Sequence, residues 1–141
     1  MKTIILDTCY WIAVFNPEKE KDKQEIVKFV SELIDENHYE ILIPFPTLYE
    51  FLNSKFSRKK SINIETELAK PKYIKIYDNE YRDKALKNFL QQISISNYDV
   101  NLVDEVIKEM IEDVKLRTDI IVTFDEALKN FARSMSVEVI E

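Results

Sequence analysis

The chain has 141 residues, of which 45% are hydrophobic and 33% are charged, and its formal net charge at pH 7 is −6. These values predict one globular domain over residues 1–141 with a real core, and they argue against a general nucleic-acid coat protein, which binds by neutralising phosphates. The sequence contains no glycine, one cysteine and one histidine. It therefore lacks dinucleotide-binding and Walker loops, and zinc sites and Cys/His nucleophile pairs are disfavoured.

Five short segments rich in β-branched or aromatic residues predict strands, at 3–6 (TIIL), 39–43 (YEILI), 73–77 (YIKIY), 119–123 (DIIVT) and 137–140 (VEVI). The first, second and fourth are nearly continuous apolar runs, as expected for strands covered on both faces. Apolar residues recur at helical spacing in 20–36, 79–93 and 102–116, and residues 54–71 predict a helix end, a basic turn and a second short helix. This alternation predicts a parallel sheet in a three-layer α/β domain.

Neither a basic leader nor an apolar signal core stands at the N-terminus, and the apolar runs are short. We therefore expect a cytoplasmic protein with no membrane segment. Cys9 is interpreted as a small buried residue without a catalytic role, and His38 as a solvated residue between a helix and a strand. Tyr10, Trp11 and Phe15 are expected to pack the first helix, with base stacking or a dimer surface as the alternative roles.

Four acidic residues fall where predicted strands end or where the following helices begin. Asp7 follows the first strand and Asp125 follows the fourth, while Glu50 and Asp104 lie in the opening turns of predicted helices. Ligands of open parallel sheets bind at the carboxyl ends of the strands, where the connecting helices also start. We therefore expect the four carboxylates to gather at one edge of the sheet.

Each of these acids, taken alone, is more simply explained as a helix cap. Acids are favoured in first helical turns, where they meet free amides and the helix dipole. Asp7 and Asp125 are typical N-caps, and the other two acids stand three residues after Thr47 and Asn101, which is capping-box spacing.

Taken together, the four acids predict a metal site. Converging carboxylates with no basic residue adjacent in sequence repel each other unless cations lie between them. Hard oxygen ligands without histidine or thiolate favour Mg²⁺ or Mn²⁺ over zinc. The predicted ligands are Asp7, Glu50, Asp104 and Asp125.

These stretches, in this order, make the sequence similar to the PIN-domain nucleases, and among them to the VapC-like toxins of toxin–antitoxin pairs. The resemblance spans nearly the whole chain and rests on the strand ending in DT, on FPTLYEFL, on LVDEVI and on IIVTFDEAL. It implies a five-stranded parallel sheet of order 3-2-1-4-5, an acid cluster that binds divalent metal, and metal-dependent cleavage of single-stranded or structured RNA. It further implies a homodimer and an antitoxin partner. The glycine usual in that family before the fourth strand is replaced here by Arg117 and Thr118.

The resemblance implies that the four acids hold one or two cations, which lower the pKa of a bound water and stabilise charge on the scissile phosphate. Thr8 and Thr123 then hydrogen-bond the carboxylates or a bound water, or they act only as strand and cap residues. Asp99 is a fifth acid or a replacement for Asp104, although a loop or cap role is preferred. A basic run guides RNA phosphates or forms a solvated helix end, and it comprises Lys55, Arg58, Lys59 and Lys60.

Three other functions compete with a nuclease. A haloacid-dehalogenase-like phosphotransferase needs a second aspartate two residues after the first, where this chain has Cys9. A response-regulator receiver needs an acidic pair after the first strand and a lysine after the last, and the chain has neither. A catalytically silent PIN-like module that binds RNA or a protein is the alternative we keep.

Overall fold

A computed structural model describes residues 1–53, 60–95 and 101–141. Within these ranges the strands are β1 (Lys2–Leu6), β2 (Tyr39–Pro44), β3 (Tyr73–Ile76), β4 (Ile120–Val122) and β5 (Glu138–Ile140). The helices are α1 (Thr8–Phe15), α2 (Gln24–Asp35), α3 (Phe45–Leu52), α4 (Ser61–Leu68), α5 (Arg82–Ile95), α6 (Leu102–Glu112) and α7 (Glu126–Ser134). A short 3₁₀ turn at Lys21–Lys23 precedes α2. All five predicted strands are confirmed to within one residue at each end.

The strands form one parallel sheet in the order β3-β2-β1-β4-β5. The predicted α/β class and the strand order 3-2-1-4-5 are therefore confirmed. Ile4 of β1 is in register with Ile41 of β2 on one side and with Ile120 of β4 on the other. No helix within the described ranges is long and apolar enough to cross a membrane.

The apolar runs of the central strands are continuous because helices cover both faces of the sheet. Ile4 and Leu6 pack into a cluster with residues of α1, α2, α3 and α4, whereas Ile5 packs into a second cluster with residues of α5, α6 and α7. Adjacent side chains of a strand point to opposite faces. The result is the predicted three-layer arrangement.

The aromatic residues of α1 belong to the first of these clusters. Trp11 is 1% exposed and stacks on Phe15 with 6.2 Å between the ring centroids, while Tyr10 is also buried. The expectation that these residues pack the first helix is confirmed.

Two predicted apolar faces are only partly buried. The stripe predicted over 102–116 ends early, because α6 stops at Glu112 and Val114 is 84% exposed. The carboxylate of Asp113 accepts hydrogen bonds from the amide of Lys115 and from the hydroxyl of Tyr81, at 2.9 and 2.7 Å. These bonds compete with continuation of the helix.

The second partly buried face belongs to α5. The segment 79–93 was predicted from apolar spacing, but the helix starts only at Arg82 and buries Ala85 completely. Leu86, Leu90 and Ile93 are each between 44% and 51% exposed. The helix contacts mainly α6, which explains why it covers less of the sheet than the spacing indicates.

Three turns that lead into strands hold a non-glycine residue in the left-handed conformation. Asn37, Arg117 and Ser136 have φ values of 57°, 53° and 61° and precede β2, β4 and β5. Glycine adopts this conformation without steric cost, whereas other residues pay roughly 1 kcal/mol.

Candidate active site

Asp7 stands at the junction between β1 and α1 and is only 5% exposed. It is the N-cap of α1, and its Oδ1 accepts a hydrogen bond from the amide of Thr8 at 2.7 Å. Its Oδ2 accepts one from the hydroxyl of Thr123 at 2.8 Å. Its own amide donates to the carbonyl of Val122 and so extends the pairing of β1 with β4 by one bond. The carboxylate is therefore held rigidly at the carboxyl edge of the sheet.

Glu50 lies on α3, and its two oxygens are bound by residues of two other elements. Oε1 accepts the hydroxyl of Thr8 at 2.9 Å, and Oε2 accepts the side-chain amide of Asn101 at 3.2 Å. Asn101 also caps α6 through its Oδ1, which accepts the amide of Val103 at 2.8 Å. One asparagine thus joins the start of α6 to the carboxylate of α3.

Asp125 and Asp104 occupy the N-termini of α7 and α6. Asp125 is the N-cap of α7, and its Oδ1 accepts the amide of Leu128 at 2.8 Å. Asp104 lies in the first turn of α6 and is half-buried. Thr47, in contrast, is not a cap, because α3 begins at Phe45 and the Thr47 hydroxyl donates to the carbonyl of Pro44 at 2.6 Å.

The four carboxylates line one cavity of about 340 Å³, which we call the acidic cleft. Five other lining residues were not predicted to lie at the site: Cys9, Ile12, Glu20, Lys23 and Phe124. Asn101 was predicted only as a cap, although the asparagine also lines the acidic cleft. Lys23 forms ion pairs with Glu20 and Asp22 at 3.4 and 3.5 Å, and its ammonium lies 5.1 Å from the centre of the Phe124 ring.

Burial and neighbouring negative charges raise the pKa of Asp104 and of Asp7. Burial, followed by the charges of Asp7, Asp125 and Glu50, raises the pKa of Asp104 to about 7, whereas the charge of Lys108 lowers it. Burial also raises the pKa of Asp7, although the hydrogen bonds from Thr123, Thr8 and Cys9 pull it down. Negative charge in the acidic cleft is therefore only partly compensated by the protein.

Cys9 lies among these groups as a neutral thiol. Its Sγ accepts the amide of Phe124 at 3.2 Å and lies 3.6 Å from Oδ2 of Asp7. Burial, and then the charge of Asp7, raises the pKa of the thiol to about 12. A thiol that stays protonated at neutral pH is a poor nucleophile. Cys9 is half-buried and lines the acidic cleft, so the prediction of a buried packing residue is only partly met.

Within residues 1–53, 60–95 and 101–141, no three Asp, Glu, His or Cys side chains are grouped so that they could hold a metal ion. Asp7 and Glu50 direct their oxygens at hydrogen-bond donors of the protein. The carboxylates therefore share the acidic cleft without forming a finished coordination shell.

The sequence matches no protein-family model and no curated protein. Of the features that the resemblance to PIN-domain nucleases implies, the structure shows the α/β fold and the strand order β3-β2-β1-β4-β5.

Part of the predicted basic run and one predicted acid lie outside the described residues, namely Lys55, Arg58, Lys59 and Asp99. Lys60 is described, and its ammonium donates to the carbonyl of Phe15 at the end of α1. A lysine at this position satisfies a terminal carbonyl and favours the negative end of the helix dipole. Lys60 thus has a structural contact away from the acidic cleft.

Replacing Thr123 by valine is expected to destabilise the protein by roughly 1–3 kcal/mol, because a buried carboxylate loses a hydrogen-bond donor. The hydroxyl is completely buried, and it also accepts the amide of Asp125 at 3.2 Å. Urea unfolding measures the change in the free energy of unfolding.

The matched control is Thr66→Val on α4, where an exposed hydroxyl donates to the carbonyl of Ile62. This substitution should change the free energy of unfolding by less than about 0.5 kcal/mol. Equal effects of the two substitutions would contradict a special role for the bond between Thr123 and Asp7.

Proposed function

We propose that the protein is a divalent-metal-dependent ribonuclease. One observation carries this proposal: carboxylates from four separate elements line the acidic cleft at the carboxyl edge of a parallel sheet, where ligands of such sheets bind. Local capping explains Asp7 and Asp125, which are the N-caps of α1 and α7, but it does not explain why Glu50 and Asp104 line the same cleft.

The donor set fits a hard divalent cation by its chemistry. The oxygens come from carboxylates, with an amide and hydroxyls nearby. The half-buried Asp104 is repelled by the other carboxylates, and Lys108 offsets this repulsion only in part, so a cation would relieve it. Asp7, Glu50, Asp104 and Asp125 would hold Mg²⁺ or Mn²⁺, exchanging protein hydrogen-bond donors for the cation. When bound, such cations lower the pKa of water and neutralise charge on a scissile phosphate.

The other residues of the acidic cleft have roles that follow from their contacts. Thr8 and Asn101 fix the orientation of Glu50, and Thr123 fixes that of Asp7. Lys23 lines the acidic cleft, and its ammonium, which pairs with Glu20 and Asp22, would face an RNA phosphate there. The attacking group is water, and no residue forms a covalent intermediate.

The finer assignment to the PIN-domain family, and to VapC-like toxins within it, belongs to the same proposal. The shared strand order and the order of the four acids along the chain support it. A homodimer and an antitoxin partner are further parts of the proposal. The exposed apolar side chains of α5, at Leu86, Leu90 and Ile93, are compatible with a protein partner on that helix.

A catalytically silent module that binds RNA or a protein is the second candidate. It is favoured by the absence of a metal-holding group of three side chains within the described ranges. The two candidates differ in whether RNA is cut.

The test is incubation of the purified protein with an unstructured single-stranded RNA and Mg²⁺ or Mn²⁺. We expect cleavage with either cation, no cleavage in excess chelator, and recovery when the cation is restored. Single-stranded DNA of the same sequence is the control for substrate class. Cleavage that continues in chelator would refute the metal mechanism, and RNA binding without cleavage would favour the silent module.

A further inference from the structure

Three aromatic side chains outside the lining of the acidic cleft cluster at the carboxyl edge of the sheet. Phe45 is the first residue of α3, Tyr49 lies one turn later, and Tyr77 directly follows β3. The ring of Phe45 lies 5.5 Å from that of Tyr49, edge to face, and 5.2 Å from that of Tyr77 at an interplanar angle of 31°. We call these three residues the aromatic platform.

The position of the aromatic platform follows from the sheet. Pro44 of β2 is in register with Ile76 of β3, so Phe45 and Tyr77 leave neighbouring strands at the same level. Phe45 and Tyr49 are four residues apart on α3 and therefore share one side of the helix. The cluster is thus fixed by two adjacent strand ends and one helical turn.

Both tyrosines are unusually exposed for side chains that pack against a neighbour. Tyr49 and Tyr77 are each 62% exposed, whereas Phe45 is half-buried and also packs against the core. Phe45 therefore contacts both tyrosine rings while it packs against the core. Rings held in place before binding lose little conformational entropy when a flat ligand stacks on them.

The aromatic platform adjoins the acidic cleft along α3. Tyr49 and Glu50 are consecutive residues, and consecutive side chains of a helix diverge by about 100°. Glu50 therefore lines the acidic cleft, whereas Tyr49, on the adjacent side of α3, exposes its ring to solvent. A strand of nucleic acid bound in the acidic cleft would therefore pass next to Tyr49, the residue that precedes Glu50 on α3.

We propose that the aromatic platform stacks unpaired bases of single-stranded RNA next to the scissile phosphate. The proposed nuclease function supplies the identity of the ligand, and the inference rests on it in that respect. Every base has an aromatic face, so stacking is tolerant of sequence but requires an unpaired strand. The aromatic platform would thereby select single-stranded over double-stranded RNA.

Binding in the presence of chelator tests this inference without relying on cleavage. Fluorescence anisotropy of a labelled single-stranded RNA, and of a duplex of equal length, gives the two affinities. We expect the single strand to bind at least tenfold more tightly than the duplex. The double variant Tyr49→Ala/Tyr77→Ala should lose tenfold or more of the single-strand affinity, whereas Tyr49→Phe/Tyr77→Phe should retain it.

Phe29→Ala is the matched control, because Phe29 is 51% exposed on α2 and lies outside the aromatic platform. It should leave RNA affinity unchanged, and circular dichroism verifies that each variant is folded. Unchanged affinity in the double alanine variant, or equal binding of duplex and single strand, would overturn the inference. So would a variant that changes only the oligomeric state, since the rings would then cover a second copy of the chain.

These outcomes separate the inference from the proposed nuclease. A protein that binds single strands through the two tyrosines but does not cut them overturns the nuclease alone. A protein that cuts RNA with full affinity in the double alanine variant overturns the aromatic platform alone.

Discussion

Replacement of Asp7 by asparagine is expected to reduce RNA cleavage by at least about a hundredfold while the protein remains folded. Even groups that only orient metal ligands contribute roughly 10–100-fold to metal affinity or activity. Asp7 itself lines the acidic cleft, so a larger loss of activity is expected. Asparagine has nearly the same shape, and its Oδ1 can still accept the amide of Thr8. The substitution also removes a buried charge, whose desolvation raises the pKa of Asp7. Cleavage rates with Mg²⁺ and urea unfolding measure the two effects.

The control for this variant is Asp83→Asn, which makes the same chemical change at an exposed position in the first turn of α5. It should leave the cleavage rate within a factor of two or so of the wild type. Full activity in Asp7→Asn would remove the central carboxylate from the proposed mechanism. Loss of activity together with loss of the unfolding transition would indicate a structural role instead.

The fold was largely predictable because its signals are local and consistent. The central strands are apolar on both faces, and their carboxyl ends carry acids that also cap the following helices. Helix ends were less predictable. The extent of α6 depends on Asp113, whose carboxylate binds Tyr81 from a distant part of the chain, and no local spacing reveals that bond.

The acidic cleft was predictable only in part, for a related reason. Parallel-sheet topology brings strand ends together, so the four acids could be placed from sequence. The contact of Asn101 with Glu50 joins residues 51 positions apart, and Lys23 reaches the acidic cleft from a short 3₁₀ turn. One local signal was overlooked: Lys108 stands four residues after Asp104, one helical turn away, and its charge lowers the pKa of that acid.

Replacement of Asp104 by asparagine is expected to stabilise the metal-free protein near pH 8, by roughly 1–2 kcal/mol after allowance for solvent screening. Burial and three neighbouring carboxylates raise the pKa of Asp104 to about 7, so its charged form is disfavoured in the folded state. A raised carboxyl pKa contributes stability below about pH 4 that is lost as the pH rises through about 7. The gain from the substitution should therefore be present near pH 8 and absent near pH 4.

Thermal unfolding in chelator at both pH values measures this effect, with an expected rise of about 3–8 °C near pH 8. Asp113→Asn is a control of opposite sign, because the hydroxyl of Tyr81 and the amide of Lys115 lower the pKa of Asp113. That variant should lose stability near pH 8, where the wild-type carboxylate is charged.

Added Mg²⁺ should raise the unfolding temperature of the wild type more than that of Asp104→Asn, since the variant lacks one of the four carboxylates. If Asp104→Asn instead lowers the unfolding temperature in chelator, the four carboxylates do not repel each other, and the electrostatic argument for a cation fails.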